Sequence, residues 1–189
     1  MYKRQTSTLQ QTASSKLGFG ASRTMQIAQR LYQGIDIEGD TIGLITYMRT
    51  DGTNISKDAI ETFRSYISDN FGKNYLPQSS LNYSGKKAKN AQEAHEAIRP
   101  TEISRNPESL KMYLSSDQYK LYNLIWSRAL SSQMESAKFD RKTITITSKD
   151  SENIFKTSGS VLKFDGYLKL TNVEDEHENE KILPDVVKG

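Results

Sequence analysis

A tyrosine and an arginine two positions apart stand within the stretch Gly43-Leu44-Ile45-Thr46-Tyr47-Met48-Arg49-Thr50-Asp51. A tyrosine hydroxyl is a poor nucleophile at neutral pH because its pKa is about 10, and it needs help to lose its proton. An arginine stays charged and can grip two phosphate oxygens, which suits the neutralisation of a phosphate under attack. On a continuing strand Tyr47 and Arg49 would face the same side. The pair is therefore compatible with attack on a phosphate ester.

Each candidate residue also has an ordinary structural interpretation. A lone tyrosine in an apolar run usually belongs to a core or its rim, and Arg49 with Asp51 could form a surface ion pair worth about 0–1 kcal/mol. His95, one of two histidines, is also compatible with a solvated or hydrogen-bonded loop. If residues 92–98 make a helical turn, His95 and Arg99 would share one face and could hold the same nucleic-acid strand.

The composition is typical of a globular chain and leaves a polyanionic partner open. The 189 residues carry a net charge of +3, distributed as +7 through Asn172 and −4 after it. The basic body favours nucleic acid, although a solvated surface of mixed charge also explains it. The absence of cysteine excludes disulfides and cysteine-ligated metals and is compatible with a reducing cytoplasm. No run approaches the roughly 18 apolar residues of a membrane span, and the first residues lack a secretory signal.

Two short helices are predicted before the Tyr47 stretch. Ser7 or Thr8 can cap the first helix, which Gly18 ends, and Ser22 can cap the second, which Gly34 ends. Their spacing predicts buried faces formed by Leu9, Ala13 and Leu17 and by Met25, Ala28 and Leu31.

After a turn at Gly39-Asp40, the apolar residues from Ile42 to Tyr47 predict a short strand. A third helix is predicted to start at Ser56 and to end near Gly72. The order helix, helix, strand, helix is compatible with a helix-turn-helix-like, winged-helix arrangement around the Tyr47 stretch.

The second half of the chain changes from helical to β-rich. Residues 73–107, with the cluster Lys86-Lys87-Ala88-Lys89, predict an exposed loop, and a long helix follows Ser116. Three further segments have strand character: Thr143–Thr147, 154–156 and 161–170. We therefore predict an α+β fold with a mainly α domain at 1–137 and a short antiparallel β segment at 138–189. Because three strands are marginal alone, the second segment is expected to belong to a larger unit.

Three stretches together resemble the tyrosine-bearing segment of type IA DNA topoisomerases, in the bacterial topoisomerase I branch. They are Thr8-Leu9-Gln10-Gln11, the stretch Gly43 to Asp51, and Glu93-Ala94-His95-Glu96-Ala97-Ile98-Arg99-Pro100-Thr101, in that order. The resemblance runs from about Thr6 to about Leu170. One departure is Gly52, where the family usually has a serine; this removes a hydroxyl that could cap or hydrogen-bond locally.

The resemblance implies a transesterification in which Tyr47 attacks single-stranded DNA and becomes linked to the 5′ phosphate. Another strand would pass through the gap, and the 3′ hydroxyl would reverse the reaction. Negatively supercoiled DNA would thus relax without ATP, because one phosphodiester is exchanged for another. Arg49 would neutralise the phosphate, and His95, which matches an active-site histidine of the family, would bind a phosphate or orient the tyrosine. Thr50, Asp51 and Arg99 are expected to contact DNA.

The resemblance also implies parts that this chain lacks. Family members bind Mg²⁺ through carboxylates of a separate Toprim domain, and the acidic stretch Glu174 to Glu180 reads as a solvated loop rather than a metal site. We expect an excised piece, the tyrosine domain plus part of the hinge domain, inactive without the Toprim domain. Its expected partners are DNA and the Toprim and gate domains in cis, in the cytoplasm at the bacterial nucleoid. The alternative is a stand-alone winged-helix-type module that binds single-stranded DNA, with Tyr47 only stacking on bases.

Overall fold

The structure, a computed structural model, describes residues 5–83, 96–147 and 153–171, together with 183, 184 and 186. The chain divides into two units, Met1–Met134 and Glu135–Gly189. In the described residues, five α-helices and two antiparallel two-stranded sheets confirm the predicted α+β class. The helices are α1 (Thr6–Leu17), α2 (Ala21–Gln33), α3 (Lys57–Phe71), α4 (Pro107–Leu110) and α5 (Ser116–Ser131). The strands are β1 (Ile35–Ile37), β2 (Asp40–Ile42), β3 (Lys138–Thr147) and β4 (Ile154–Phe164).

The helices α1 and α2 end where predicted, but both begin earlier than predicted. The residue before α1 is Gln5, not Ser7 or Thr8, because Thr6 already donates its backbone N–H to the carbonyl of Thr50 at 3.0 Å. Gly18 ends α1 in the left-handed conformation, with φ of 68°. The prediction of Ser22 as the cap of α2 is wrong, since the helix follows directly on Gly20.

The buried face of α2 contains the predicted Ala28 and Leu31 but not the predicted Met25. Thr24, Ile27, Ala28 and Leu31 are buried, at the i, i+3, i+4, i+7 spacing of a single helix face, whereas Met25 is half-buried. The prediction missed Thr24 because the buried face was identified from apolar residues, and threonine is polar. Its hydroxyl is satisfied locally by donating to the carbonyl of Gly20, the residue before the helix, at 3.0 Å.

The hairpin β1–β2 follows α2 directly, and Ile35 pairs with Ile42 at its open end. A glycine is required at Gly34, the residue that joins α2 to β1, because φ is 130° there and a Cβ would lie 2.4 Å from the Thr41 methyl group. Helix, three-residue turn, helix and hairpin together give the predicted helix-turn-helix-like arrangement.

The helices α3 and α5 lie where the sequence predicts them. Ser56 caps α3 by accepting from the Ala59 N–H at 3.3 Å, and Ser115 caps α5 in a reciprocal pair with Gln118. The core of this unit is formed by apolar side chains of all the longer helices and of the Tyr47 stretch. Its fully buried members include Leu31, Leu44, Ile45, Met48, Phe63, Ile67, Leu121, Tyr122, Leu130 and Met134.

The second unit contains a long antiparallel ribbon, in which β3 pairs with β4 from Lys138–Phe164 to Thr147–Ile154. The prediction of two further strands is wrong: 154–164 is one strand, and Gly166–Leu170 is a 3₁₀ helix. The chain leaves the strand because Gly166 packs against the Glu135 backbone, where a Cβ would lie 2.5 Å from the carbonyl oxygen. Tyr167 then donates its N–H to that carbonyl at 2.9 Å.

Several predictions lie outside the described residues: the Lys86-Lys87-Ala88-Lys89 loop, His95 and the acidic stretch Glu174 to Glu180. Within the described part of the chain, no helix is both long and apolar enough to cross a membrane.

Candidate active site

The stretch that carries Tyr47 is hydrogen-bonded to the end of α2 and to residues 99–101. Leu44 donates its N–H to the Leu31 carbonyl at the end of α2, at 2.8 Å, and accepts from the Thr101 N–H at 3.0 Å. Thr46 donates its N–H to the Arg99 carbonyl at 2.9 Å. Because these partners do not form one continuous ladder, the predicted strand is reduced to a single bridge between Ile45 and Pro100.

Burial alternates along the second half of this stretch, although it is not a regular strand. Met48 and Thr50 point into the unit, while Tyr47 and Arg49 are exposed. The two candidate side chains therefore both point away from the buried side of the backbone, as their spacing predicted.

Tyr47 is not a core residue, since 45% of it is exposed. Its ring packs edge-to-face against Tyr32 of α2, with centroids 5.3 Å apart and an interplanar angle of 65°. Its hydroxyl has no hydrogen-bond partner among the residues that the structure describes. The contact with Tyr32 orients the ring, and nearly half of the residue remains exposed.

Arg49 and Asp51 do not form the surface ion pair that the sequence left open. Neither side chain has an ionic or hydrogen-bond partner within the described segments. Together with Thr50 they line one wall of a cleft of about 440 Å³, and the start of α1 lines the other through Gln5, Thr6 and Ser7. The guanidinium of Arg49 is thus a positive charge at an open cleft with no ion pair among the described residues, and it could attract an anion.

The start of α1 is a component of this site that sequence reasoning missed. The Thr6 hydroxyl donates to the Met48 carbonyl at 2.7 Å and accepts from the Thr50 N–H at 2.9 Å. No local signal marks this contact, because it joins residues more than forty positions apart. The hydroxyl of Thr50 accepts from the Gly52 N–H at 2.9 Å, so a local hydroxyl cap exists despite the glycine at 52.

Arg99 lies in the segment that pairs with the Tyr47 stretch, and its side chain bonds to groups of that same segment. Its Nε and a terminal nitrogen donate to the two carboxylate oxygens of Glu96 at 2.7 and 3.1 Å, and its side chain is only 14% exposed. The other terminal nitrogen donates to the Pro100 carbonyl at 2.9 Å. The helical turn that would place His95 and Arg99 on one face is not formed at 96–98, where Glu96 instead forms a parallel bridge with Asn54.

Glu96 joins this segment to α3 as well. Burial would raise the pKa of the Glu96 carboxyl, but hydrogen bonds from Arg99 and Ser56 and the charge of Arg99 outweigh it and hold the pKa below its ordinary value. Because the Ser56 N–H donates to the same carboxylate at 3.1 Å, Glu96 connects the cap of α3 to the segment 96–101, which pairs with the Tyr47 stretch.

The described residues do not fit a magnesium site. In ranges 5–83, 96–147 and 153–171, no three histidine or carboxylate side chains come together. Asp51 is the acidic residue of the cleft, and a Mg²⁺ ion is usually held by one or two carboxylates with phosphate and water.

Comparisons with known proteins all give one family. Residues 3–189 match a family model described as DNA topoisomerase. The chain is 53% identical over 182 residues to DNA topoisomerase 1 of Rickettsia felis, covering 95% of this chain and 23% of that protein. It is 49% identical over 181 residues to DNA topoisomerase 1 of Helicobacter pylori, covering 96% of this chain and 24% of that one. The chain thus spans about a quarter of the length of these curated relatives.

A solved structure has the same fold. The full-length topoisomerase I from Thermotoga maritima matches with a TM-score of 0.80 and 42% identity, over 96% of this chain and 28% of that one. At this identity the likeness extends beyond the fold to the sequence that builds it.

Proposed function

Because the chain belongs to the bacterial type IA DNA topoisomerase family, we propose that it carries the nucleophile that cleaves single-stranded DNA, and that this nucleophile is Tyr47. The observation that carries the proposal is that Tyr47 and Arg49 are both exposed on a stretch whose neighbouring residues are buried, and that neither side chain has a hydrogen-bond partner in the described residues. A reacting group must be accessible to DNA and fixed in direction, and Tyr47 is both.

In the proposed reaction the Tyr47 oxygen attacks the phosphorus of a phosphodiester. The bond from phosphorus to the 3′ oxygen breaks as the bond to the tyrosine oxygen forms. The tyrosine gives up its proton, the leaving 3′ oxygen gains one, and the 5′ phosphate stays on the protein. Attack by the 3′ hydroxyl on this linkage reverses the step. Since one phosphodiester replaces another, no ATP is consumed, and strand passage between the two steps relaxes negatively supercoiled DNA.

Arg49 is proposed to bind the phosphate under attack. Negative charge grows on the phosphate oxygens as the fifth bond forms, and a guanidinium at the cleft would stabilise that charge. Thr50 and Asp51 line the same cleft and are proposed to border the DNA path. His95 is proposed, on the family resemblance, to hydrogen-bond a phosphate or orient the tyrosine.

Arg99 is proposed to contact the DNA backbone only through the N–H groups that Glu96 and Pro100 leave over. Its pairing with Glu96 supports a second task, which is to keep the segment 96–101 rigid. This makes it a weaker DNA ligand than Arg49.

The family also implies Mg²⁺ and further domains that act with this segment, in the cytoplasm at the nucleoid. We propose that this chain alone does not relax supercoiled DNA. The relatives are about four times as long, and the described residues offer no carboxylate cluster.

A second candidate function is a DNA-binding module without catalysis. The observation that favours it is the exposed pair formed by Tyr32 and Tyr47, since aromatic rings offer single-stranded bases a stacking surface. The two functions differ in what the hydroxyl of Tyr47 does, because stacking needs only the ring.

The deciding experiment uses a chimaera in which this chain replaces the matching segment of the Rickettsia felis enzyme. A single-stranded oligonucleotide labelled at its 3′ end is mixed with the chimaera and trapped by denaturation. The 3′ piece carries the 5′ phosphate, so labelled DNA should become attached to the protein. Tyr47→Phe should abolish the adduct and retain oligonucleotide binding. Adduct formed by Tyr47→Phe would overturn the proposed nucleophile, and an inactive parent chimaera would count against the proposed function itself.

A further inference from the structure

Two threonine hydroxyls flank the candidate active residues, and both are bonded to backbone groups. We infer that Thr46 and Thr6 are positioning residues, which fix the backbone on either side of Tyr47 and Arg49 so that both side chains meet the scissile phosphate in one geometry. The inference rests on the proposed role of Tyr47.

Thr46 holds the peptide immediately before Tyr47. Its hydroxyl donates to the Ala97 carbonyl at 2.9 Å and accepts from the Arg99 N–H at 3.0 Å. Its own N–H donates to the Arg99 carbonyl at 2.9 Å. The hydroxyl therefore acts as a substitute backbone group that extends the pairing of two segments beyond the single bridge at Ile45.

Thr6 does the same for the residues on both sides of Arg49. Its N–H donates to the Thr50 carbonyl at 3.0 Å, and its hydroxyl accepts from the Thr50 N–H at 2.9 Å. The hydroxyl hydrogen goes to the Met48 carbonyl at 2.7 Å. With Met48 and Thr50 both bound to one side chain, the peptide between them has little freedom, and Arg49 is directed towards the cleft.

These backbone contacts matter because the reactive side chains have few of their own. Apart from the Tyr32 ring, nothing in the described residues holds Tyr47, and Arg49 has no hydrogen-bond partner there. The direction of both groups is set by the peptides that carry them. A misplacement of about 1 Å at a reacting group can slow a reaction by about a hundredfold.

The test compares hydroxyl removal with hydroxyl retention in the Rickettsia felis chimaera. Thr46→Val and Thr6→Val keep the branched shape and lose the hydroxyl, while Thr46→Ser and Thr6→Ser keep the hydroxyl and lose a methyl group. Thr24→Val is the matched control, since Thr24 is fully buried and its hydroxyl bonds, among the described residues, only to the carbonyl of Gly20 at the start of α2. The single-turnover cleavage rate at saturating oligonucleotide, the oligonucleotide Kd and the melting temperature are measured for each.

Both valine variants should cleave at least tenfold more slowly, with the oligonucleotide Kd changed by less than about twofold. The serine variants should be slower by at most about threefold, because loss of the β-branch lets three staggered rotamers compete with the bonded one. Thr24→Val should cleave at the parental rate even if it melts earlier. A split between rate and affinity, with rescue by serine, is not expected of hydroxyls that only stabilise the fold.

Valine variants that cleave at the parental rate, or serine variants as slow as valine, would overturn the inference. If a valine variant does not fold, the alanine variant at the same position, which also lacks the hydroxyl, takes its place, and a parental cleavage rate in it would overturn the inference. The proposed function is tested separately by Tyr47→Phe. Adduct from that variant removes both proposals, whereas its inactivity beside fully active valine variants removes only this one.

Discussion

Replacing Arg49 by alanine should slow DNA cleavage by about tenfold to 150-fold. A charge-assisted hydrogen bond is worth about 1.5–3 kcal/mol, and each 1.36 kcal/mol in the activation free energy is a factor of about ten. Because Arg49 has no ionic or hydrogen-bond partner in the described residues, its removal leaves no group there unsatisfied. The free energy of unfolding should therefore change by no more than about 0.5 kcal/mol.

The assay for Arg49→Ala is single-turnover formation of the covalent adduct in the chimaera, with the 3′-labelled oligonucleotide in excess. Arg49→Lys keeps the charge but loses the two-pronged geometry, so its rate should lie between alanine and the parent. Arg23→Ala is the control for net charge. Arg23 is an exposed residue of α2 that is already paired with Asp117, and its loss should leave the rate unchanged.

A cleavage rate for Arg49→Ala within twofold of the parent would refute the reasoning. The unpaired guanidinium at the cleft would then be an ordinary surface charge. A loss of rate shared equally by Arg23→Ala would refute it in another way, because the effect would come from the overall field of the protein and not from a contact at the phosphate.

Three other expectations follow from the site and the family. His95→Ala should reduce cleavage less than Arg49→Ala and change its dependence on pH near the histidine pKa of about 6.5; a parental rate at every pH would sink that role. The Glu96 pKa is lowered in the fold, so its stabilisation is complete above about 4.5 and is lost as the pH falls through the folded-state pKa. Glu96→Gln should thus lower the free energy of unfolding of the 189-residue chain by roughly 1 kcal/mol at pH 7 and flatten the acid side of its stability curve, as urea titrations at several pH values would measure. The chain alone should bind single-stranded DNA with a micromolar or weaker Kd that weakens steeply with salt, and should not relax plasmid with or without Mg²⁺. Robust relaxation lost on Tyr47→Phe would contradict that.

Local sequence signals predicted the elements whose ends are determined locally. Ser56 and Gly72 bound α3, and Ser115 caps α5 beside the predicted start at Ser116, because each cap bonds to groups three to five residues away. The spacing of Tyr47 and Arg49 predicted a shared side on a continuing strand, and both residues are exposed although the structure forms no regular strand there.

Long-range contacts decided the remainder, and no local pattern reports them. The start of α1 is set by Thr50, and the strand predicted up to Tyr47 is interrupted because its partners lie on separate segments. The strand predicted for 161–170 ends early because Gly166 meets the Glu135 backbone. For the same reason Thr6 could not be identified as part of the site, although its neighbours Thr8 to Gln11 carried the family resemblance.

The anchoring of the Tyr47 stretch to α1, to α2 and to the 97–101 segment has a mechanical consequence. A DNA end covalently held on Tyr47 would be attached to a backbone that cannot yield on its own. Tension on that end would be shared by hydrogen bonds at Leu44, Thr46 and Thr50 that all have to break before the stretch peels away. The first unit would therefore bear this tension as one rigid body, and the bound DNA end would move only together with that unit.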